Sequence, residues 1–130
     1  MPGLEPQTVA PAVPLTLTLI SAGGVLGAVT RCSADVALPF TSLQTTWAIN
    51  VSGCFLMGVL MTVTGRDVAR QRFLRPFLGV GFLGGYTTFS TYVVDVETAG
   101  AAEGLIYLVL TVTCALLAVR LGRRLGGLAR

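Results

Sequence analysis

The chain has 130 residues, of which 53% are apolar and only 12% are charged, and its mean hydropathy is +0.78. Soluble domains carry about 25% charged residues, so this composition excludes a soluble domain, a disordered chain and a coiled coil. Three cysteines are too few, and odd in number, for a disulfide framework. The sequence therefore predicts an all-α integral membrane protein in which residues 1–130 form a single domain.

Four stretches without charged residues are long enough to supply membrane-crossing helices. The stretches cover 6–30, 36–65, 76–94 and 104–119. Because a bilayer core of about 30 Å requires about 20 helical residues, we predict four transmembrane helices. The predicted helices cover about 15–37, 43–64, 74–95 and 101–122.

Pairs of glycines four residues apart recur within or beside these helices. The pairs are Gly23 and Gly27, Gly81 and Gly85, and Gly100 and Gly104. Small residues at this spacing let membrane helices approach closely. The chain has 16 glycines in all, and four helices enclose little space, so we expect tight packing and an oligomer.

The nine basic residues are all arginines, and they lie mainly at one end of the predicted helices. Eight follow the second or the fourth helix, and only Arg31 lies on the other side. The positive-inside rule therefore predicts cytoplasmic termini for a multi-pass protein of the cell membrane. The alternative is that residues 120–130 form a basic arm that binds nucleic acid or anionic lipid. The charge pattern does not require it, and we predict no nucleic-acid partner.

Two polar residues lie at depths where lipid makes them unfavourable. Arg31 falls inside the far end of the first helix, where it either extends outward to the interface or attracts anions at a pore mouth. Asn50 falls near the middle of the second helix. Its amide either holds neighbouring helices together or offers its two N–H donors to a ligand.

The segment 79–92 is the most informative part of the sequence. Its glycine pair, Gly84 and Gly85, weakens a helix, and the hydroxyl residues that follow compete for helical carbonyls. These hydroxyl residues are Thr87, Thr88, Ser90 and Thr91. We predict an unwound break near 84–88, of the kind that binds ions through freed main-chain groups. The alternative is a packing face of small residues.

In the fourth predicted helix, Tyr107 and Thr111 are four residues apart and share one face. This face either lines a path through the protein or makes ordinary contacts between helices. The spacing alone does not decide between the two interpretations.

Three motifs together resemble the Fluc/CrcB family of small fluoride channels. They are Gly-Gly-x-x-Gly-Ala-x-x-Arg at 23–31, Asn-x-x-Gly-x-Phe at 50–55 and Gly-Gly-x-Thr-Thr-Phe-Ser-Thr at 84–91. The resemblance extends from about residue 20 to residue 120. It implies a fluoride-specific channel that lowers cytoplasmic fluoride by passive export, and not an enzyme.

The resemblance also implies an assembly and a set of site residues. It implies an antiparallel dimer of the dual-topology type, with the third helix of each chain broken mid-span. It implies a structural Na⁺ at the dimer centre, with the carbonyl oxygens of Gly84 and Thr87 as ligands. By motif position, the pore residues match Asn50, Phe89, Arg31, Tyr107 and Thr111, whereas a third hydroxyl position falls near Ala115.

The chemistry of these residues fits a fluoride path. Fluoride is small and strongly hydrated, so a pore must replace its water with hydrogen-bond donors. The amide of Asn50 and the hydroxyls of Ser90, Thr91 and Thr111 can donate. Phe89 can present the positive edge of its ring to an anion while it excludes water.

Two features depart from the family pattern. The second pore phenylalanine is replaced by Tyr92, and the acidic residue that follows is Asp95 rather than a glutamate. The strong charge bias also disagrees with a homodimer that inserts the same chain in both directions. We therefore hypothesise a heterodimer with an oppositely oriented paralogue.

Two other classes of function remain. A small four-helix exporter normally needs an acid within a membrane span, whereas Asp95 and Glu103 lie near helix ends. A non-conducting or partner-dependent subunit of a heterodimeric channel would keep the glycine pairs without needing Asn50 or the hydroxyl motif. An enzyme is excluded by the lack of histidine, acid–base pairs and metal-ligand clusters in the sequence.

Overall fold

A computed structural model describes residues 13–65 and 67–128, and every regular element in these ranges is helical. The α-helices are α1 (Val13–Ala37), α2 (Ser42–Val63), α3 (Val68–Leu74), α4 (Gly84–Tyr86), α5 (Phe89–Thr98) and α6 (Ala101–Leu128). A π-helical segment, Arg75–Leu83, joins α3 to α4 without a gap. We call the continuous helical stretch 68–86 the third rod.

Three helices, α1, α2 and α6, are long and apolar enough to cross a membrane. The prediction of an all-α membrane protein is thus confirmed at this level. The third predicted helix corresponds instead to the third rod followed by α5, with an interruption between them.

The observed helices start and end near the predicted positions, with two differences. The third rod begins at Val68 rather than near residue 74, because the carboxylate of Asp67 accepts a hydrogen bond from Arg70 N at 3.1 Å and caps α3. The last helix continues to Leu128 rather than ending near 122. Arg120, Arg123 and Arg124 remain helical, as expected for a residue type with high helix propensity.

The π-helical segment was not predicted. Pro76 is the second residue of the segment, and its ring nitrogen has no hydrogen to donate to the preceding helical turn. The backbone N–H of Gly84 donates to the carbonyls of Gly79 and Gly81 where the segment ends. Single-turn π-bulges are frequent at functional sites, and here the wider helix leads directly to the interruption.

Glycines allow the third rod to lie directly against α1. A Cβ on Gly27 would overlap the carbonyl oxygen of Phe82, and a Cβ on Gly85 would overlap that of Gly24. These contacts confirm close approach for two of the predicted pairs, Gly23 with Gly27 and Gly81 with Gly85. The third pair behaves differently, because Gly100 has φ +86° in the turn before α6 and no neighbour within 4 Å of a Cβ. Gly23 lies near Phe77 and Gly27 near Tyr86, so α1 and the third rod run in the same direction.

A second glycine contact joins α2 to α6. A Cβ on Gly58 would overlap the carbonyl oxygen of Val119, and a Cβ on Gly122 would overlap that of Phe55. Farther along, Gly126 lies beside Thr62. Residue numbers rise together along both helices, so α2 and α6 also run parallel to each other.

The third rod and α5 run in the direction opposite to α2. Leu60 lies beside Gly79, Asn50 pairs with Thr88, and Ser42 bonds to Asp95. The interruption therefore lies beside the middle of α2. This packing places both a polar side chain of α2 and the end of the third rod in the interior of the bundle.

Charges separate to the two ends of the bundle. One end holds Asp67 and six arginines, which are Arg70, Arg72, Arg75, Arg120, Arg123 and Arg124. The other end holds Arg31, Asp35, Asp95, Glu97 and Glu103. Arg66 and Arg130, which contribute to the predicted charge bias, lie outside the described residues.

Candidate functional site

The third rod ends at Tyr86, and two extended residues separate it from α5. Thr87 has φ −76° and ψ 155°, and Thr88 has φ −139° and ψ 124°. The interruption falls inside the predicted range 84–88, at its C-terminal side. Gly84 itself remains helical, with φ −64° and ψ −37°, so the hydroxyl residues rather than the glycines end the helix.

Threonine side chains stabilise the backbone on both sides of this break. The Thr87 hydroxyl donates to the carbonyl of Leu83 at 2.8 Å, alongside the Thr87 backbone N–H at 3.0 Å. The Thr88 hydroxyl accepts from Thr91 N at 3.2 Å and thereby caps α5. It also donates to the Thr91 hydroxyl at 3.0 Å and lies 3.4 Å from that of Ser90.

Asn50 of α2 forms two hydrogen bonds with the backbone of the break. Its Nδ2 donates to the carbonyl of Thr88 at 2.9 Å, and its Oδ1 accepts from the backbone N–H of Thr88 at 2.9 Å. The amide therefore replaces the partners that a continuous helix would have supplied to Thr88. Of the two sequence-based interpretations, the structure shows the contact between helices. The second Nδ2 hydrogen is left for another acceptor.

Arg31 of α1 also contacts the backbone at the break. Its Nε donates to the carbonyl of Gly85 at 3.3 Å, and the residue is half-buried. Gly85 belongs to the last turn before the interruption, where helical carbonyls lack partners and a positive charge is favourable. The structure thus places the single arginine of this end of the bundle beside the broken helix.

The remaining carbonyls of the break form an oxygen-rich edge. Within the described part of the chain, the carbonyls of Gly84, Tyr86 and Thr87 accept no hydrogen bond. Gly84 lies on an open face, because a Cβ built there would have no neighbour within 4 Å. Main-chain oxygens of this kind are hard donors that suit a small hard cation. The described residues contain no cluster of three or more histidine, cysteine or acidic side chains.

Three aromatic rings extend from the break toward α6. Phe89, the first residue of α5, is 77% exposed, and its ring centroid lies 6.0 Å from that of Tyr92. Tyr92 is buried, and its centroid lies 5.5 Å from that of Tyr107. The Tyr92 hydroxyl donates to the carbonyl of Leu108 at 3.0 Å. The residue that departs from the family pattern therefore uses its extra hydroxyl for a contact inside the chain.

The polar groups continue past these rings to the first residues of α2. The Tyr107 hydroxyl donates to the carbonyl of Leu43 at 3.2 Å, and Ser42 donates to Asp95 Oδ1 at 2.8 Å. Asp95 Oδ2 and Thr111 Oγ1 are both buried and have no partner among the described residues. Buried polar atoms without partners mark a place where a further polar species can bind.

The structure thus brings the predicted site residues together in two adjoining groups. The first surrounds the break and contains Arg31, Asn50, Gly84, Thr87, Ser90 and Thr91. The second contains Phe89, Tyr92, Tyr107 and Thr111, and Phe89 joins the two. Sequence reasoning missed Ser42 and the burial of Asp95. Asp95 follows the buried Tyr92 by three residues on α5, and this spacing, which puts both on one helix face, could have indicated that Asp95 is buried.

Comparison with known proteins identifies relatives over nearly the whole chain. Residues 18–123 match the family described as CrcB-like protein, Camphor Resistance (CrcB). The chain is 45% identical over 124 residues to "Fluoride-specific ion channel FluC 2" of Nocardia farcinica, which covers 90% of this chain and 89% of the relative. It is 43% identical over 117 residues to "Fluoride-specific ion channel FluC 1" of Rhodococcus jostii, with coverages of 88% and 90%. The FluC 2 protein of Thermobifida fusca is 43% identical over 110 residues, with coverages of 79% and 82%.

Replacing Asn50 tests its bond to the break. In Asn50→Asp, compared below about pH 4, a protonated carboxyl group accepts from the Thr88 N–H and donates to the Thr88 carbonyl as the amide does, whereas Asn50→Leu removes both bonds. We expect the Thr88 amide to remain slow in hydrogen exchange in Asn50→Asp and to exchange at least about tenfold faster in Asn50→Leu, because one hydrogen bond contributes roughly 1.5 kcal/mol. NMR or mass spectrometry in detergent measures the exchange. Equal exchange in both variants would show that Asn50 does not protect Thr88.

Proposed function

Because this chain belongs to the CrcB family, we propose that it is a fluoride-specific ion channel that lowers cytoplasmic fluoride by passive export. The chain is a multi-pass membrane protein with three long apolar helices, and its relatives are named as fluoride channels. The observation that carries the proposal is the break at Thr87 and Thr88, because it gathers hydrogen-bond donors around interrupted backbone. The family is one of channels and not of enzymes.

The residues at the break supply what fluoride needs in place of water. Asn50 has a second Nδ2 hydrogen that is not used by Thr88, and the hydroxyls of Ser90 and Thr91 lie one turn away. The exposed ring of Phe89 can turn its positive edge toward an anion. Thr111, farther along, has a buried hydroxyl without a partner among the described residues. Several weak sites in succession allow an ion to leave as well as to enter.

The conducting unit in this proposal is a dimer of antiparallel chains. Phe89 is 77% exposed and Gly84 lies on an open face, although both belong to the break. A polar, interrupted helix cannot face lipid, so this side of the chain needs a protein or aqueous neighbour. A second chain packed against it satisfies that requirement. It also makes the third rod and α5 a fourth crossing of the membrane, surrounded by protein.

A structural Na⁺ at the dimer centre fits the oxygen-rich edge of the break. The carbonyl oxygens of Gly84 and Thr87 are free of donors in the described residues, and a second copy would contribute the same pair. Oxygen donors of this type suit a hard cation. The bound ion would supply a fixed positive charge and would hold the two broken helices together.

The segregated arginines support a fixed orientation with cytoplasmic termini. Six described arginines and a single acid, Asp67, occupy one end of the bundle, whereas the other end holds Arg31 and four acids. The positive-inside rule then places the arginine-rich end in the cytoplasm. A chain with such a bias needs an oppositely oriented paralogue to complete an antiparallel pair. The numbered names of the relatives, FluC 1 and FluC 2, are consistent with paralogous chains.

A second candidate is a subunit that conducts only together with its partner. Tyr92 favours it, because the hydroxyl that distinguishes this residue from the family phenylalanine is held by Leu108 within the chain. A heterodimer with two unlike pores tolerates such a change in one of them.

Fluoride flux from liposomes tests the proposed function. Liposomes that contain the chain, alone or with an oppositely oriented paralogue, should release fluoride and retain chloride, as measured with ion-selective electrodes. Phe89→Ile should lower fluoride release by about fivefold, because it removes an aromatic edge that contributes on the order of 1 kcal/mol. Phe73→Ile, at an exposed ring in α3 at the arginine-rich end of the bundle, should not change it. Equal release of chloride and fluoride would contradict the proposal.

Sodium binding can be measured as stabilisation of the purified protein. The dimer should unfold at a higher temperature in Na⁺ than in N-methylglucamine, since a ligand at 100 times its Kd stabilises by about 2.7 kcal/mol. Elemental analysis of protein freed of unbound salt should find one Na⁺ per dimer. A midpoint that is independent of Na⁺, together with no retained Na⁺, would argue against the central ion.

Cysteine labelling tests the orientation. In a background without native cysteines, Ala102→Cys should react with an impermeant reagent applied outside cells, whereas Val68→Cys should react only after the cells are opened. Both positions are exposed, so access to the reagent is comparable. Equal labelling of the two positions from outside would rule out a fixed orientation and, with it, the need for a paralogous partner.

A further inference from the structure

A groove lies between α2 and α6 at the arginine-rich end of the bundle. Its volume is about 450 Å³, and its lining residues are Met57, Gly58, Met61, Thr62, Gly65, Val119 and Arg123. Gly58 forms its floor, because this glycine lets the two helices approach until Val119 and Arg123 lie directly above it. The groove is separate from the break, which lies beside the middle of α2.

The two parts of the groove differ in chemistry. Met57, Met61 and Val119 form an apolar wall, and the methionines also pack against the third rod near Gly79. Arg123 is the one charged residue among those that line the groove. An apolar wall with one cationic residue beside it matches an amphiphile with one negative charge and a hydrocarbon chain.

Neighbouring groups leave the charge of Arg123 available. The only ion pair within residues 13–65 and 67–128 joins Arg70 to Asp67, with an N–O distance of 3.1 Å. The Met61 carbonyl near the C-terminal end of α2 already accepts from Arg75 at 3.5 Å. The side chain of Arg75 also donates to the hydroxyl of Thr64 at 3.0 Å. Arg123 is therefore exposed, and the end of the bundle where it lies is rich in other arginines.

Exposed apolar residues adjoin the groove. Leu116 lies one turn before Val119 on the same face of α6 and is exposed, as is Met61 of the groove wall. In a membrane protein such a surface contacts lipid, so the groove opens where acyl chains and headgroups meet. A soluble phosphate would contact only Arg123 and would leave the methionine wall without a partner.

We propose that this groove binds an anionic phospholipid, with the phosphate on Arg123 and an acyl chain along Met57, Met61 and Val119. Arginine suits the role because its planar guanidinium donates two parallel hydrogen bonds to phosphate oxygens. Basic pockets between membrane helices recognise anionic headgroups in the same manner. The six arginines of this end attract such lipids, and Arg123 alone among them lines the groove.

Native mass spectrometry of the full chain in detergent tests the proposal. With phosphatidylglycerol the spectrum should show one retained lipid per chain, whereas phosphatidylcholine with the same acyl chains should be retained at least about tenfold less. Arg123→Gln should lower the affinity for phosphatidylglycerol by about tenfold, because a hydrogen bond to a charged group contributes at least about 1.5 kcal/mol. The readout does not involve ion flux, so it is independent of the proposed channel activity.

Arg124→Gln is the matched control. Arg124 is the next residue, is exposed and carries the same charge, but it does not line the groove. An equal loss in Arg124→Gln would show attraction by surface charge alone and would overturn the proposal.

Displacement of the lipid by equimolar glycerol phosphate would identify a site for free phosphate instead. If phosphatidylglycerol binds the monomer but not the dimer, the groove is covered by a second copy of the chain in the dimer, and the proposal is overturned.

Discussion

The backbone N–H and C=O groups of a helix that is interrupted inside an apolar bundle need hydrogen-bond partners, and the rest of this structure depends on that constraint. Unpaired N–H and C=O groups are unfavourable at this depth, and only protein or trapped water can supply partners. Here α1 and α2 supply them, through Arg31 to Gly85 and through Asn50 to Thr88. The glycine contacts that bring these helices close are therefore a condition for the break, and not only a means of packing.

The general architecture could be predicted from the sequence, because charge-free stretches and glycine spacing are local properties. The position of the break was predicted within a few residues. Its exact location depends on packing, since Gly85 is held against Gly24 and stays helical, while the backbone opens at Thr87 and Thr88. The third rod starts early, at Val68, because Asp67 caps it. This cap is a local sequence feature, but the predicted boundary was based only on stretches without charge.

The pairing of site residues could not be predicted in the same way. Asn50 and Thr88 are 38 residues apart, and only the antiparallel packing of α2 against the third rod makes them partners. The sequence left open whether Asn50 joins helices or donates to a ligand, and the structure shows the contact between helices, with one Nδ2 hydrogen not used by Thr88. Likewise, the hydroxyl of Tyr92 is accommodated by Leu108, a contact that depends on how α5 folds back along α6.

The two bonds between Asn50 and Thr88 also determine which way the amide faces. Rotating the amide by half a turn would set Nδ2 against the N–H of Thr88 and Oδ1 against its carbonyl, so that like dipoles meet in both places. Only one orientation of the amide is therefore compatible with the fold, and the second Nδ2 hydrogen of Asn50 points in a fixed direction. In the proposed fluoride path, this fixed orientation would let Asn50 donate to the ion without any rearrangement of its side chain.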